Sequence, residues 1–438
     1  MIRKTDLLKS LAIGSVLVPA TGFAGGYQIS ERNVSDLGRA FSGGGATVED
    51  ASIVATNPAG LSFLKGTQFS LAASLVNGNV ESDLEDANIE VTGLGNIPLQ
   101  GDKKSGNVAP NNPVIPAFYA SHALNDQITL GFGAFSNFST STHYKKDSAA
   151  SIFAVDSEIT TFNLNPSMSY KLDDSLSFGF GLNAVSASAT LSTGFPVFGE
   201  NGAPTGATNG VSEISGSAWG YGWNLGLMYS ISDDARVSFS YRSSVSTTLD
   251  GKVEYKDVPA AVLTASGRED MDAEAKLELP AIASLSGHYA FADGFALSAD
   301  VTYTQWSVFE KLEVKNKAGT TLTSETYDWR DSFRGALGLT YAYDDALTLR
   351  TGLAVDDSPI PNHTRSLRIP TSNMNWISLG ARYAVNTELS VDAGYSYVFM
   401  DKTELKDENA LTEGVTAKTS AEASLALHIL GVQLNYSL

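Results

Sequence analysis

Cysteine is absent from this sequence, and basic residues are scarce. Without cysteine, an exported chain needs no disulfide and offers no thiolate ligand to a metal. The 438 residues include 29 Lys and Arg against 48 Asp and Glu, which gives a formal net charge of −19. So acidic a composition argues against nucleic acid as a partner, because phosphate backbones bind basic surfaces.

Long apolar runs are also missing. A transmembrane helix needs about 20 consecutive apolar residues, and the sequence contains no such run. The apolar run at 11–20 is too short to span a membrane, but it follows three basic residues and is followed by small residues up to Ala24. This order predicts a secretory signal peptide at residues 1–24 and a mature chain beginning at Gly25. A buried N-terminal helix is the alternative.

Signatures of catalysis are missing as well. The five histidines show no metal-ligand spacing, and no Gly-x-Ser-x-Gly nucleophile elbow occurs. The sequence therefore predicts no enzymatic activity, no metal site and no cofactor.

What the sequence does contain is a repeated pattern of turns. Short turns rich in Asn and Asp recur at intervals of roughly 40 to 60 residues. Each lies between two segments of alternating apolar and polar residues, and a longer polar connection follows before the next turn. One tight turn and one long loop in alternation indicate an up-and-down β-barrel. The turns are residues 124–126, 172–174, 232–234, 292–294, 343–345 and 385–387.

The alternation begins at Thr67 and predicts fourteen antiparallel strands in a barrel of residues 67–438. A soluble sandwich also alternates, but tyrosines cluster near the tight turns, as in the interfacial girdle of a membrane barrel. These are Tyr170, Tyr229, Tyr289, Tyr341, Tyr343 and Tyr383. The predicted strands are roughly 67–81, 113–124, 126–138, 155–172, 175–191, 213–231, 235–255, 273–292, 295–316, 326–343, 346–356, 375–385, 388–402 and 420–438.

Residues 25–66 differ from the rest, since they lack long alternation and carry patterns of short helices. They are predicted to form a compact insert before the barrel. The last predicted strand adds a functional hint. Leu425, Leu427 and Ile429 share the phase of Gln433, so they should face the lumen. An apolar lumen suggests a hydrophobic ligand, although packing against the insert is an alternative explanation.

Several segments carry a family resemblance through their order and spacing. They are Gly26 to Ile29, Leu37 to Gly43, Asn57 to Ala59, Trp306 to Phe309, Phe333 to Gly338, Asp356 to Pro361 and Arg365 to Pro370. With them, the sequence from Gly26 to Leu438 resembles the outer-membrane long-chain fatty acid transporters (FadL-like). The resemblance implies an all-β membrane fold, a fourteen-stranded antiparallel transmembrane β-barrel plugged by a small N-terminal hatch with short helices.

The resemblance also implies a mechanism. Hydrophobic ligands would land among the extracellular loops, enter a lumen pocket and leave sideways through a kink in the third strand. In this sequence Ser139 stands where the family usually has glycine in the kink. The implied residues are Tyr27 near the pocket, the hatch motif Asn57, Pro58 and Ala59, and the kink Asn137, Phe138 and Ser139, with Phe138 also a ligand contact.

The sequence leaves open whether the ligand has a charged headgroup. Fatty-acid members of the family carry basic residues near the end of the fifth strand and before the tenth, whereas residues 186–190 and 324–326 here supply no cation. A neutral alkane or aromatic hydrocarbon is therefore an alternative ligand, because an unpartnered buried carboxylate is costly. Cations in the polar phase could substitute, or could pair with Asp300 or Asp392. They are Arg334, Arg350 and Arg382.

Together these observations predict uptake of hydrophobic small molecules across the bacterial outer membrane, with long-chain fatty acids as the first expectation. Neutral hydrocarbons by the same route are the first alternative, and a general diffusion porin is the second. The expected partners are the ligand, outer-membrane lipids and lipopolysaccharide, and the barrel assembly machinery during biogenesis. The chain is expected to act as a monomer.

Overall fold

A computed structural model describes residues 25–200 and 202–438 of the protein. The predicted signal peptide lies outside the described residues. Within them, no helix is long and apolar enough to cross a membrane. The strands are β1 Thr67–Val91, β2 Gly95–Pro98, β3 Val114–Ala123, β4 Ile128–Phe135, β5 Ser139–His143, β6 Asp156–Lys171, β7 Leu176–Phe198, β8 Pro204–Ser230, β9 Ala235–Arg242, β10 Val245–Lys256, β11 Met271–Leu279, β12 Ile282–Ala292, β13 Phe295–Thr304, β14 Lys311–Asn316, β15 Thr321–Thr326, β16 Ser332–Ala342, β17 Leu347–Asp356, β18 Met374–Ala384, β19 Leu389–Thr412 and β20 Val415–Ser437.

Short helices lie between some of these strands and before them. The α-helices are α1 Ile53–Thr56 and α2 Ala260–Ser266, and the 3-10 helices are Leu37–Arg39, Pro58–Phe63, Ala149–Ile152 and Trp306–Val308.

A closed antiparallel ring forms the wall of the molecule. Its order is β1-β3-β4-β6-β7-β8-β9-β12-β13-β16-β17-β18-β19-β20, and β20 pairs back onto β1. This closure runs from Gln68 opposite Ser437 to Val91 opposite Val415. The ring confirms the predicted fourteen-stranded barrel, and its closure pairs the β1 and β20 edges that would otherwise face lipid.

The alternation of side chains decides which face is the lumen. In β20, Leu430 and Val432 are each 54% exposed on the outside, whereas Gln433 is fully buried. Outward apolar residues and inward polar ones are the arrangement of a barrel in lipid. Five of the six tyrosines near the tight turns are more than 40% exposed, in agreement with the predicted girdle: Tyr170, Tyr229, Tyr289, Tyr343 and Tyr383.

Several predicted strands are divided in two. The predicted strand 273–292 is broken into β11 and β12 around Pro280, which has no backbone N–H to donate to the sheet ladder. Similar breaks divide the predicted strand 235–255 into β9 and β10 and the predicted strand 295–316 into β13 and β14, whereas β5 and β15 are short strands in the predicted loops 139–154 and 317–325. The upper pieces β10, β11, β14 and β15 pair with one another in that order and continue part of the wall beyond the ring.

Other strands continue far beyond their predicted ends. The predicted loops 192–212 and 403–419 are largely strand, and the loop 82–112 is strand over 82–91 and 95–98, because β1, β7, β8, β19 and β20 each span 23 to 27 residues. The prediction of loops there was wrong. Beyond the apolar band these stretches face water on their outer side, so their sequence carries no lipid-facing alternation even though the backbone remains paired.

Residues 25–66 fill the lumen of the ring. Their hatch motif begins at Asn57, whose side-chain oxygen accepts a hydrogen bond from the backbone N–H of Ala59 at 3.0 Å. The Asn57 amide donates to the carbonyl oxygens of Gly45 at 3.0 Å and of Leu227, in the wall, at 3.2 Å. Pro58 occupies the first position of the 3-10 helix Pro58–Phe63, where its missing N–H costs nothing. The motif therefore joins the plug to β8.

A second contact between plug and wall depends on two carboxylates of the plug, one buried (Asp50) and one partly buried (Glu49). Glu49 accepts a hydrogen bond from Arg350 at 2.7 Å, and Asp50 accepts one from Arg382 at 2.7 Å. Both arginines also bind Asp392 in β19, at 2.6 and 2.8 Å. Because breaking a buried pair leaves an uncompensated charge, this network holds the plug against β17, β18 and β19.

Gly226 in β8 gives a test of this packing. A methyl group there would overlap the Asn57 side-chain oxygen and lie 2.8 Å from the Ala59 nitrogen. We therefore expect Gly226→Ala to destabilise the protein by about 1–3 kcal/mol, measured as a lower midpoint of thermal unfolding. The matched control is Gly287→Ala in β12, where nothing lies within 4 Å of the added carbon. Equal shifts for the two variants would contradict tight packing of the hatch motif.

Candidate functional site

The third strand of the ring is interrupted where sequence analysis placed the kink. β4 ends at Phe135 and β5 begins at Ser139. β3 pairs with β4 only as far as Phe118 opposite Ala134, and within residues 25–200 and 202–438 no pairing joins β3 to β5. The wall therefore has a discontinuity between β3 and β5. Its role as a gate stays a prediction.

The N-terminal segment occupies the inner side of this discontinuity. The backbone N–H of Ile29 donates to the carbonyl of Asn137 at 2.7 Å, and that of Ser139 donates to the carbonyl of Tyr27 at 2.8 Å. Between them, Gln28 and Phe138 face each other as an antiparallel pair. The first residues of the described chain thus provide the ladder partner that β3 does not.

Tyr27 is the centre of an aromatic cluster. Its ring centroid lies 5.9 Å from Phe138, 4.6 Å from Trp306, 5.4 Å from Phe309 and 5.5 Å from Trp329. Tyr27 and Trp306 are fully buried. Phe309 of this cluster also lines the cavity described next, whereas Tyr27 does not, and the place of Tyr27 near the ligand pocket stays a prediction.

An apolar cavity adjoins this aromatic cluster within the barrel. Its walls come from β5 to β8, β10, β11 and β14, with Ile369 from the long loop between β17 and β18. Each strand contributes its inward-facing apolar side chains, and together they form a continuous apolar surface. The apolar lining is Ile159, Ala189, Leu191, Ile214, Leu249, Ala273, Ala275, Leu277, Phe309, Leu312, Val314 and Ile369.

A second, larger cavity continues from the first toward the long-loop end. Both cavities are lined by Leu191, Ile214, Leu312, Val314 and Arg368. The outer cavity is more polar. A molecule that entered from the loops would therefore pass Arg368 before reaching the apolar cavity.

The loop that carries Arg368 is fixed on two sides. The Leu367 N–H donates to the Asp407 carboxylate at 2.9 Å, and the Leu367 carbonyl accepts from the Tyr144 hydroxyl at 2.9 Å. The carbonyl of Arg368 accepts from the Thr142 hydroxyl at 3.0 Å. This segment belongs to the family resemblance, but the sequence alone did not identify Arg368 as a cation of the site, because only the folded loop brings it to the cavity.

The charge at Arg368 is balanced locally. Its Nε donates to Glu325 at 2.9 Å, and the other Glu325 oxygen accepts from the Tyr327 hydroxyl at 2.7 Å. Burial and the nearby Glu325 raise the pKa of Tyr327, so its hydroxyl remains a donor. Burial raises the pKa of Asp407, on the upper part of β19, to about 6.

The three predicted arginines lie elsewhere. Arg350 and Arg382 bind Asp392, as the alternative explanation expected, together with the plug carboxylates. Arg334 donates to the Ala40 carbonyl at 2.7 Å and lies over two aromatic rings. None of the three lines the apolar cavity in the described part of the chain. Their role as ligand contacts stays a prediction.

The three predicted apolar residues of β20 are buried, as their phase required. Leu425 is 3% exposed, and Leu427 and Ile429 are fully buried. They belong to one apolar cluster with plug residues that include Val34 and Leu37, and not to the lining of the cavity. This placement agrees with packing against the insert, the alternative explanation, and ligand contact by these residues stays a prediction.

Comparisons with known proteins agree with this architecture. A family model described as "Outer membrane protein transport protein (OMPP1/FadL/TodX)" matches residues 15–438. The "Long-chain fatty acid transport protein" of Escherichia coli O6:H1 is 33% identical in an alignment of 469 positions that covers 100% of both chains. "Outer membrane protein P1" of Haemophilus influenzae is 32% identical over 462 residues, 98% of this chain and 99% of that protein.

Solved structures give the same result for the fold. A Pseudomonas aeruginosa FadL homologue superposes with a TM-score of 0.85 at 25% identity, covering 94% of this chain and 99% of that chain. The Pseudomonas putida toluene transporter TodX has a TM-score of 0.66 at 17% identity, covering 96% of this chain and all of its own, and supports the fold alone. With the family model spanning nearly the whole sequence, this chain belongs to the OMPP1/FadL/TodX family of outer-membrane transport proteins, which is not an enzyme family.

Proposed function

We propose that this outer-membrane transport protein takes up hydrophobic small molecules, with long-chain fatty acids as the principal ligand. The apolar cavity between the aromatic cluster and the outer cavity is the observation that carries the proposal. The printed names of the curated relatives support the fatty acid. The ligand would enter from the long loops, pass Arg368 and bury its chain in the cavity.

The energetics favour such a site for a long chain. Each CH₂ left in water costs about 0.8 kcal/mol, so sixteen of them favour an apolar cavity by roughly 13 kcal/mol before the losses of association. A water-filled porin cannot supply this free energy of burial, because its lumen keeps the chain in contact with water. The buried plug that occupies the lumen also argues against the general diffusion porin.

Lateral release at the discontinuity between β3 and β5 completes the proposal. Backbone groups that face lipid must be paired, and here the segment Tyr27–Ile29 pairs the kink from the inside. Displacement of that segment by a ligand would open a side exit without breaking the rest of the ring. The backbone N–H of Ser139 donates to the Tyr27 carbonyl at the kink, so glycine is not required at position 139 for this pairing.

The proposal has a biogenesis part. Residues 1–24 would be removed on export, 25–66 would act as the plug and 67–438 as the wall. Outer-membrane lipids and lipopolysaccharide would surround a monomer inserted by the barrel assembly machinery. Neutral hydrocarbons remain the second candidate ligand, because the cavity lining is apolar and the toluene transporter shares the fold.

Affinity should rise steeply with chain length. If the cavity takes the acyl chain, each added CH₂ should tighten binding about fourfold until the cavity is full. The measurement is titration of saturated fatty acids of eight to sixteen carbons, followed by the fluorescence of Trp306 and Trp329 in the aromatic cluster, whose Phe309 lines the cavity.

A variant that fills the cavity provides the control for this series. Ala189→Phe places a ring in the cavity lining. In this variant the increase in affinity per added CH₂ should stop at a shorter chain length than in the unmodified protein. Ala342→Phe, on the exposed end of β16, should leave the series unchanged. An affinity that does not depend on chain length in the unmodified protein would refute the proposed site.

A further inference from the structure

We propose that Arg368 and Glu325 form a headgroup site that works by exchange, in which the ligand carboxylate replaces Glu325 as the partner of the Arg368 guanidinium. This inference rests on the proposed function, because it needs the acyl chain in the apolar cavity. Its cation, Arg368, lies outside residues 186–190 and 324–326, which contain no basic residue.

The location of Arg368 suits a headgroup. It lines both the apolar cavity and the outer cavity, at the level where they join. A chain that lies in the apolar cavity with its polar end toward the loops would present that end here. Ile369, the next residue, lines the apolar cavity and would contact the first carbons of the chain.

The guanidinium is only partly used. Its Nε binds Glu325 at 2.9 Å, and Nη1 binds the Ser157 hydroxyl at 3.1 Å and the Ser192 carbonyl at 3.4 Å. Its Nη2 donates to no residue within the described ranges 25–200 and 202–438. A carboxylate binds arginine best through two parallel N–H groups. The edge formed by Nε and Nη2 is therefore half occupied.

Tyr327 explains why Glu325 does not occupy the whole edge. Its hydroxyl donates to the second oxygen of Glu325 at 2.7 Å, which leaves one oxygen for Arg368. A free carboxylate has no such competing bond, so it can take both donors. The ligand thus gains one charged hydrogen bond that Glu325 cannot make.

The two side chains differ in their contact with water. The Arg368 side chain is 8% exposed, whereas that of Glu325 is 38% exposed. A buried cation without a counter-charge is costly, and Glu325 supplies that charge while the site is empty. When a carboxylate arrives, Glu325 can turn into the outer cavity and be hydrated. The buried cation then keeps a partner throughout the exchange.

The exchange also favours release. Glu325 is tethered beside the site at an effective concentration on the order of millimolar or higher, so it competes with every bound carboxylate. A neutral ester or alkane would leave the ion pair intact and gain nothing from it. The pair should therefore select acids over their esters without trapping them.

The test compares hexadecanoate with its methyl ester on the purified full-length protein. We expect Arg368→Gln to weaken hexadecanoate binding about 10- to 100-fold, the range for a hydrogen-bonded charge, and to change ester binding less than about twofold. Glu325→Gln should strengthen hexadecanoate binding several-fold and slow its dissociation. Arg330→Gln is the matched control, since Arg330 forms an exposed ion pair with Asp357 and lines neither cavity.

The outcomes separate two failures. Equal losses for acid and ester in Arg368→Gln, or no loss for either, would overturn the exchange site. Binding of neither ligand by the unmodified protein would refute the proposed function itself. If Arg368→Gln lowers the thermal unfolding midpoint too far for titration, Glu325→Gln decides alone, because an unchanged acid-to-ester ratio in that variant would also overturn the exchange.

Discussion

Deletion of residues 25–66 should convert a protein with little steady current into an open pore. The plug fills the lumen, and a fourteen-stranded ring without it approaches the size of barrels that leave an aqueous channel. We expect conductance in planar lipid bilayers to rise at least about tenfold. The ring should still form, because the closure of β20 onto β1 lies outside the deleted segment.

A milder variant controls for damage that the deletion itself does to the barrel wall. Glu49→Gln with Asp50→Asn keeps the plug but removes the two carboxylates that bind Arg350 and Arg382. Because Asp392 remains as a partner for both arginines, the plug should loosen without leaving. Brief openings on a low baseline are expected in the same recordings. An unchanged trace in the deletion would mean that the plug does not close the lumen.

A disulfide between positions 28 and 138 should stop uptake while leaving ligand binding intact. Gln28 and Phe138 form an antiparallel pair without direct hydrogen bonds between them, a geometry with Cα atoms about 4.5 Å apart, within the range for a disulfide. The chain has no cysteine, so Gln28→Cys with Phe138→Cys creates a single bridge. The bridge would fix the N-terminal segment over the discontinuity in the wall.

Uptake of labelled fatty acid by cells is the measurement, before and after a reductant. We expect at least a tenfold loss in the oxidised state and recovery on reduction; such a loss corresponds to about 1.4 kcal/mol in free energy. Each single cysteine variant is a control for the loss of Gln28 or of the Phe138 ring. Undiminished uptake with the bridge formed would eliminate release past this segment.

The tight turns were the part of the fold that local sequence could predict. Asp344 shows why, since its side chain accepts hydrogen bonds from the backbone N–H groups of Ala346 at 2.8 Å and Leu347 at 2.7 Å. Such a turn is built from residues close in sequence. The lipid-facing phase of β20 was predictable for a similar reason, because alternation is read from neighbouring residues.

Features that depend on distant partners could not be predicted in this way. The upper part of β1 has acidic residues on its outer face and a bulge between Leu84 and Asp86 that shifts its alternation, and its pairing with β20 continues as far as Val91. Arg368 reaches the cavity only because Asp407 and Tyr144 position its loop. The pairing of Arg350 with Glu49 joins residues 301 positions apart. Periodicity alone contains no information on such contacts.

The long strands also determine the reach of the molecule. At about 3.3 Å per residue, the 27 residues of β8 extend roughly 90 Å along the strand. With a tilt near 40°, that is a height of roughly 70 Å, whereas the apolar band of such a barrel is only about 25 Å tall. The barrel wall therefore extends well beyond the lipid headgroups, and its extracellular opening lies in the water above them. A hydrophobic molecule could bind there directly from water, before it reaches the polar headgroup layer that would otherwise exclude it.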